Sequence, residues 1–375
     1  MKRRGLLLVP GGLALLAGLD AALLLLGLPA PVTTERLPQV HGPLLVLGFV
    51  ATVVALERAV ALRRLWGYAA PAALGVGGLA LLVPALPLAV GQVLMVAGTA
   101  VQLAVYAALW RRAGSIALAT QALGAVAAAG SAVLWLGGAP VATVLPWFTG
   151  FLILTIVGER VELARVALPP GAEPRAFASC VVLFAAVVGT SLWPDAAVPL
   201  LGAALLAVVG WLGVHDVARR TVRSTGLPRY IAWCLLAGYA WLAVAGAIWL
   251  LAGPVTEGGT YDAVVHAVFL GFTLSMVMAH APVILPAVLG RPLPYRPHFG
   301  LAVGLLHASL ALRVLVGDAY GQSWALQTGG TLNIVALLTF VAMVATSAAR
   351  GPRSTAPSGS PDRRTADRAS AGRGA

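Results

Sequence analysis

The sequence has very few charged residues. Of its 375 residues, 10% are Asp, Glu, Lys or Arg, whereas 59% are hydrophobic. Soluble globular domains carry about 25% charged residues, so this composition excludes a soluble protein. Apolar runs long enough to cross a bilayer recur from Leu6 to Ala349, which excludes a signal peptide or a single anchor as their cause. The composition therefore predicts a polytopic membrane protein.

Cysteine is almost absent as well. Cys180 and Cys234 lie in separate apolar runs, so the chain offers neither a disulfide framework nor a thiolate metal cluster. The net charge of +12 would suit nucleic acid, but the basic residues are interleaved between apolar runs. That distribution indicates membrane topology and argues against a nucleic-acid partner.

Charged and turn-forming clusters divide the chain into twelve apolar segments. They cover residues 5–29, 40–62, 67–88, 91–110, 115–138, 141–158, 176–193, 197–217, 230–252, 261–289, 297–316 and 324–349. Each segment can span the roughly 30 Å hydrocarbon core as a helix, and such unbroken apolarity does not suit the ~10-residue strands of a barrel. We therefore predict an all-α domain of twelve transmembrane helices over residues 1–349.

Cations alternate between the two sides of these segments. The N-terminus and every second loop carry seventeen Lys and Arg residues before residue 350, whereas the opposite side has only Arg36 and Arg313. The positive-inside rule places the cation-rich side in the cytoplasm, so both termini should lie there, in a bacterial cytoplasmic (inner) membrane. The Arg/Ser/Pro/Gly-rich stretch 350–375 has no apolar period and is predicted to be a disordered cytoplasmic tail.

A short pattern recurs in segments 2, 6 and 10. Its copies are Gly48-Phe49 with Glu57-Arg58, Gly150-Phe151 with Glu159-Arg160, and Gly271-Phe272 with His280, each with the same seven-residue spacing. A spacing of four segments preserves helix direction, so the pattern predicts three parallel four-helix units, with segment 1 completing the third. Chance recurrence in a biased composition is the alternative.

Histidines supply the candidate chemistry. His41 and His266 lie at the same outer end of segments 2 and 10, where two imidazoles could hold a haem iron from opposite faces. His280 lies about 21 Å deeper than His266, level with Glu57 and Glu159. These three residues are predicted to form an inner polar cluster, either proton-handling or structural.

A further histidine, His307, lies in the middle of segment 11. A polar side chain at that depth is costly and marks a functional position by default. We take it as a candidate extra haem ligand or haem-pocket group.

Segments 2 and 10 carry a family resemblance. The residues concerned are His41 and Gly48-Phe49 in segment 2, and His266-Ala267, Gly271, Met276 and Gly290-Arg291-Pro292-Leu293 in and after segment 10. They resemble the NnrS family of haem- and copper-containing membrane proteins associated with the nitric oxide response. The resemblance implies a twelve-helix body with haem, metal ligands at His41 and His266, and a diatomic gas as ligand. That family usually has a His-any-His motif in segment 2. Here Pro43 stands in place of the second histidine, so the resemblance supports copper binding less than it supports haem binding.

The three-unit pattern also resembles the catalytic subunit of haem-copper oxidases, whose second and tenth helices hold a low-spin haem. The copper-ligating histidines of that family have no counterpart in segments 6 and 7. We therefore expect haem binding for gas response or protection rather than catalytic turnover. Two alternatives stay open: a proton-coupled secondary transporter using the inner cluster, and a non-catalytic scaffold for an oxidase or lipid complex.

Overall fold

A computed structural model describes residues 3–289 and 293–350. The fold over these residues is all-helical and contains no β-strand, which confirms the prediction of an all-α protein. Residues 351–375 of the predicted tail, and residues 290–292 of the family pattern, lie outside the described part of the chain.

Eleven helices within the described residues are long and apolar enough to cross a membrane. In chain order, with one shorter helix α3, the apolar helices are α1 (Gly5–Leu25), α2 (Arg36–Leu62), α3 (Leu65–Leu81), α4 (Leu88–Arg112), α5 (Ile116–Leu136), α6 (Val141–Ala164), α7 (Ala172–Thr190), α8 (Pro194–His215), α9 (Gly226–Ala252), α10 (Gly258–Pro286), α11 (Phe299–Asp318) and α12 (Ser323–Ala349). They indicate a multi-pass membrane protein.

Turn residues explain where the predicted segments were too long. The segment predicted at 67–88 ends as a helix at Leu81, ahead of Pro84 and Pro87, since proline disfavours helical backbone at and before its position. Helix α1 ends at Leu25 rather than at residue 29, because Gly27 adopts φ +70° and a left-handed glycine ends a helix. Helix α3 is thus the shortest of the apolar helices.

Three helices contain a wider turn that the sequence analysis did not predict. Residues Leu44–Ala51 of α2, Ala267–Leu274 of α10 and Arg313–Asp318 of α11 are π-helical. The Leu-Gly-Phe triplet occupies the same place in the α2 and α10 stretches, and α6, which shares only Gly-Phe, is α-helical throughout. Such π stretches occur frequently at functional sites, and these three lie on the helices that carry His41, His266 and Arg313.

Helices α2, α6 and α10 meet around a partly open cavity, and α1 and α12 complete its wall. Glycine allows α2 to pack closely against α3: a Cβ added at Gly78 would lie 3.2 Å from the Cα of Gly48. The two ends of the helix bundle are named here the His41 end and the Glu57 end, after the residues near the start and the end of α2.

Candidate functional site

The structure brings the two candidate haem ligands into one polar cluster at the His41 end. His41 lies within electrostatic range of His266, Asp262 and Arg313. Its Nδ1 is 2.9 Å from the backbone oxygen of Gly18 in α1. The imidazoles of α2 and α10 therefore lie within electrostatic range of each other, although they are 225 positions apart in the sequence.

Both imidazoles are oriented in the same way. His266 Nδ1 is 2.8 Å from the backbone oxygen of Asp262, as His41 Nδ1 is from that of Gly18. A carbonyl can only accept, so in each neutral ring Nδ1 carries the hydrogen and Nε2 carries a lone pair. Neither Nε2 takes part in a hydrogen bond with the described residues. Metal-ligating histidines show this arrangement, in which the far nitrogen is fixed by a carbonyl or carboxylate. The donor set therefore fits axial ligation of a haem iron.

A partly buried ion pair supports His266. Arg313, which is 9% exposed, donates from Nε and Nη2 to the two carboxylate oxygens of Asp262, at 3.0 Å each. One of these oxygens also lies 3.2 Å from His266 Nδ1. The guanidinium was predicted only as one of two cations on this side of the membrane; its position shows that it neutralises the carboxylate that orients the histidine.

His307 is held differently, because both of its ring nitrogens have partners. Trp241 Nε1 donates to His307 Nδ1 at 3.1 Å, and His307 Nε2 is 3.2 Å from the hydroxyl of Ser275. That hydroxyl in turn donates to the backbone oxygen of Cys234 at 2.8 Å. An indole can only donate, so the ring accepts at Nδ1 and donates at Nε2. This geometry suits a pocket or structural role for His307. If His307 ligated iron, one of these hydrogen bonds would have to break.

At the Glu57 end an arginine binds the two predicted glutamates. Arg58 Nη2 lies 2.5 Å from Glu57 and 3.7 Å from Glu159. Its Nη1 donates to Gln121 Oε1 at 2.9 Å, and the amide nitrogen of Gln121 lies 3.4 Å from a carboxylate oxygen of Glu162. Sequence analysis counted Arg58 only among the topology cations. Its position next to Glu57 in the pattern was the signal that could have identified it.

The cavity joins this cluster to the third predicted member, His280. It has a volume of about 440 Å³ and a mostly apolar lining, with Glu57, Glu159 and His280 on its wall. His280 Nδ1 is 2.8 Å from the backbone oxygen of Met276. Its Nε2 is buried and has no hydrogen-bond partner among the described residues. The structure thus places all three residues of the predicted inner cluster around one space.

A second buried arginine lies beside the cluster. Arg160 donates to both carboxylate oxygens of Asp216, at 2.7 and 2.8 Å, and Tyr239 donates to the same carboxylate at 2.7 Å. Burial opposes ionisation of Asp216, but the hydrogen bonds and charge of Arg160, with the Ala218 amide and Tyr239, outweigh it and lower the pKa of this carboxyl. Asp216 therefore stays ionised and neutralises Arg160.

Comparison with known proteins gives one match. Residues 4–349 match the family described as "Domain of unknown function (DUF8744)", which covers most of the chain, so the chain belongs to that family. No curated protein and no solved structure matches it.

Proposed function

We propose that this member of the DUF8744 family binds haem between α2 and α10, with His41 and His266 as axial ligands. One observation carries the proposal: the two imidazoles lie within electrostatic range of each other, and each has Nδ1 on a backbone carbonyl and an unbonded Nε2. Bound haem would supply an iron centre, which a diatomic gas could ligate by displacing one of the two histidines. With the resemblance to NnrS proteins, this favours a role in binding or responding to such a gas, nitric oxide first among them, without turnover.

The surrounding residues have distinct tasks in this proposal. The Gly18 carbonyl fixes the tautomer of His41, and Asp262 does the same for His266. Arg313 neutralises Asp262, so no net charge is added where water is scarce. His307 shapes the pocket through its hydrogen bonds to neighbouring helices. Copper is left out of the proposal, because only the family resemblance suggests it.

The proposed topology has twelve spans, with α3 as a short one, and both termini in the cytoplasm of a bacterium. The Glu57 end would then face the cytoplasm, since the loops at that end carry most of the cations. We also propose that the helices form three parallel four-helix units. The matching π stretches of α2 and α10, and the meeting of α2, α6 and α10 around one cavity, support this arrangement.

An absorption spectrum tests the haem proposal. The protein, expressed in cells supplied with haem precursor and purified in detergent, should show a Soret band. His41→Ala and His266→Ala should each lose most of it, because each removes one axial nitrogen, whereas His298→Ala, at an exposed position, should keep it. Asp262→Asn should retain the band with a shifted maximum, because it weakens the partner that orients His266. A folded, colourless wild-type protein would refute the proposal.

A proton-coupled secondary transporter is the second candidate, and one observation favours it: the cavity is lined by two carboxylates and an imidazole, groups that handle protons in transporters. Proteoliposomes containing haem-free protein would then take up a solute in response to a proton gradient, and Glu57→Gln would abolish that uptake. Uptake unaffected by Glu57→Gln and Glu159→Gln would reject this function.

A further inference from the structure

The cavity at the Glu57 end is large enough for a ligand of its own. Its volume of about 440 Å³ falls within the range of roughly 300–1,000 Å³ that small-molecule pockets occupy. Apolar side chains from α1, α2, α6, α10 and α12 form most of the wall. A ligand for this space must therefore have an apolar body.

The polar groups on the wall are mainly hydrogen-bond acceptors. Glu57 and Glu159 present carboxyl oxygens, and His280 has given its Nδ1 hydrogen to Met276, which leaves a lone pair on the buried Nε2. The two threonines of the wall donate their hydrogens to backbone carbonyls, since Thr155 donates to Phe151 and Thr273 to Val268. A wall rich in acceptors, with a buried Nε2 that lacks a partner, calls for a ligand that donates hydrogen bonds.

The charge of the cluster bears on the head group of the ligand. Arg58 is the guanidinium that binds the carboxyl groups of Glu57 and Glu159. The residue after Glu159, Arg160, is neutralised by Asp216. Two carboxyl groups thus share one guanidinium, which favours a cation over an anion in the remaining space.

We propose that this cavity binds an apolar amine, with the ammonium group at the carboxylates and His280 Nε2 and the hydrocarbon body along the apolar wall. The ammonium would supply both the missing donor and the missing positive charge. The inference rests on the cavity alone and is independent of haem at the His41 end. If the protein is a transporter, the inference names the class of its solute.

Three probes with one naphthalene body separate the alternatives. They are 1-naphthylmethylamine, 1-naphthalenemethanol and 1-naphthoic acid, which carry a cationic, a neutral and an anionic head. Binding is measured by equilibrium dialysis against the full-length protein in nanodiscs, from naphthalene fluorescence, with empty nanodiscs correcting for partition into lipid. The expected order of affinity is amine, then alcohol, then acid.

Substitutions locate the binding. Glu57→Gln and Glu159→Gln should each weaken amine binding about ten-fold, because each removes a partly buried carboxyl group that can pair with the ammonium, and should leave the alcohol unchanged. Glu257→Gln makes the same chemical change at an exposed position outside the cavity and should alter neither probe. Ala345→Trp, on the wall contributed by α12, should weaken amine and alcohol alike by filling the space.

Two results would overturn the proposal. One is equal binding of the amine and the alcohol, with no effect of either glutamate substitution. The other is amine binding that Ala345→Trp leaves intact in a variant whose unliganded thermal stability matches the wild type, because the ligand would then lie elsewhere.

Discussion

Replacing Arg160 with alanine should lower the free energy of unfolding by about 3–5 kcal/mol. The substitution leaves the carboxylate of Asp216 buried without its charge partner, and breaking one side of a buried ion pair costs about that much. The Asp216 side chain is 1% exposed and that of Arg160 7% exposed, so water cannot replace the guanidinium.

The remaining partners of Asp216 set the size of the effect. Tyr239 and the backbone amide of Ala218 each donate to the carboxylate at 2.7 Å, so Arg160→Ala removes two of four hydrogen bonds and the only charge among them. Two neutral hydrogen bonds contribute about 1 kcal/mol each. The expected loss therefore lies at the lower end of the range, near 3 kcal/mol.

A double-mutant cycle measures the pair itself. Arg160→Ala, Asp216→Ala and the double variant are unfolded by SDS titration in mixed micelles, with Arg219→Ala as the control at an exposed position. The control should change stability by less than about 0.5 kcal/mol. The double variant should be more stable than the sum of the two single losses implies, by about 2 kcal/mol, because neither charge is then stranded. Strictly additive losses would refute the role assigned to this pair.

The same carboxyl gives a pH dependence. Its pKa is lower in the folded protein than the usual value near 3.8, so the folded state favours the ionised form. Its contribution to stability is complete above about pH 4 and is lost as the pH falls through the folded pKa. Wild-type stability should therefore drop more steeply below pH 4 than that of Asp216→Asn. Parallel curves for the two proteins would contradict the pKa shift.

Three further predictions concern packing, topology and the cavity. Gly202→Val should destabilise the protein by several kcal/mol, because a Cβ there would lie 2.4 Å from a backbone atom of α9. At Gly210, on the same helix, an added Cβ meets no atom within 4 Å, so Gly210→Val should be tolerated. Thermal unfolding of the two variants measures the difference. A membrane-impermeant thiol reagent should label Glu257→Cys in whole cells but Ser224→Cys only after lysis; the reverse pattern would invert the proposed orientation. Arg58→Gln should strengthen binding of 1-naphthylmethylamine several-fold by removing a competing cation, and equal or weaker binding would count against the amine site.

Composition and segment length predicted the helical membrane fold because they act locally. A run of some twenty apolar residues has few ways to satisfy its backbone in lipid except as a helix, so the positions of the helices could be inferred closely. The length of α3 was predicted less well, since the apolar run continues past Pro84 and Pro87 while the helix does not. The π stretches of α2 and α10 had no recognised sequence signal.

The candidate sites depend on contacts between distant parts of the chain, which the sequence shows only in part. Equal depth suggested that His41 and His266 could meet, and a recurring pattern suggested that Glu57, Glu159 and His280 could share one level. Neither argument could supply partners such as the carbonyl of Gly18, because backbone groups carry no sequence signal. These partners decide which ring nitrogen is free and therefore what each histidine can bind.

Some arginines of a membrane protein lie in loops and set its topology, and others pair with carboxylates inside the helix bundle. Sequence analysis assigned all seventeen cations of the N-terminus and alternate loops to topology, yet Arg58 and Arg160 belong to ion pairs within the bundle. Leaving out these two arginines gives fifteen cations on that side. On the opposite side Arg313 is paired with Asp262, and leaving it out gives Arg36 alone. The cation-rich side then holds fifteen of sixteen cations instead of seventeen of nineteen, so the ion pairs do not remove the bias on which the proposed orientation rests.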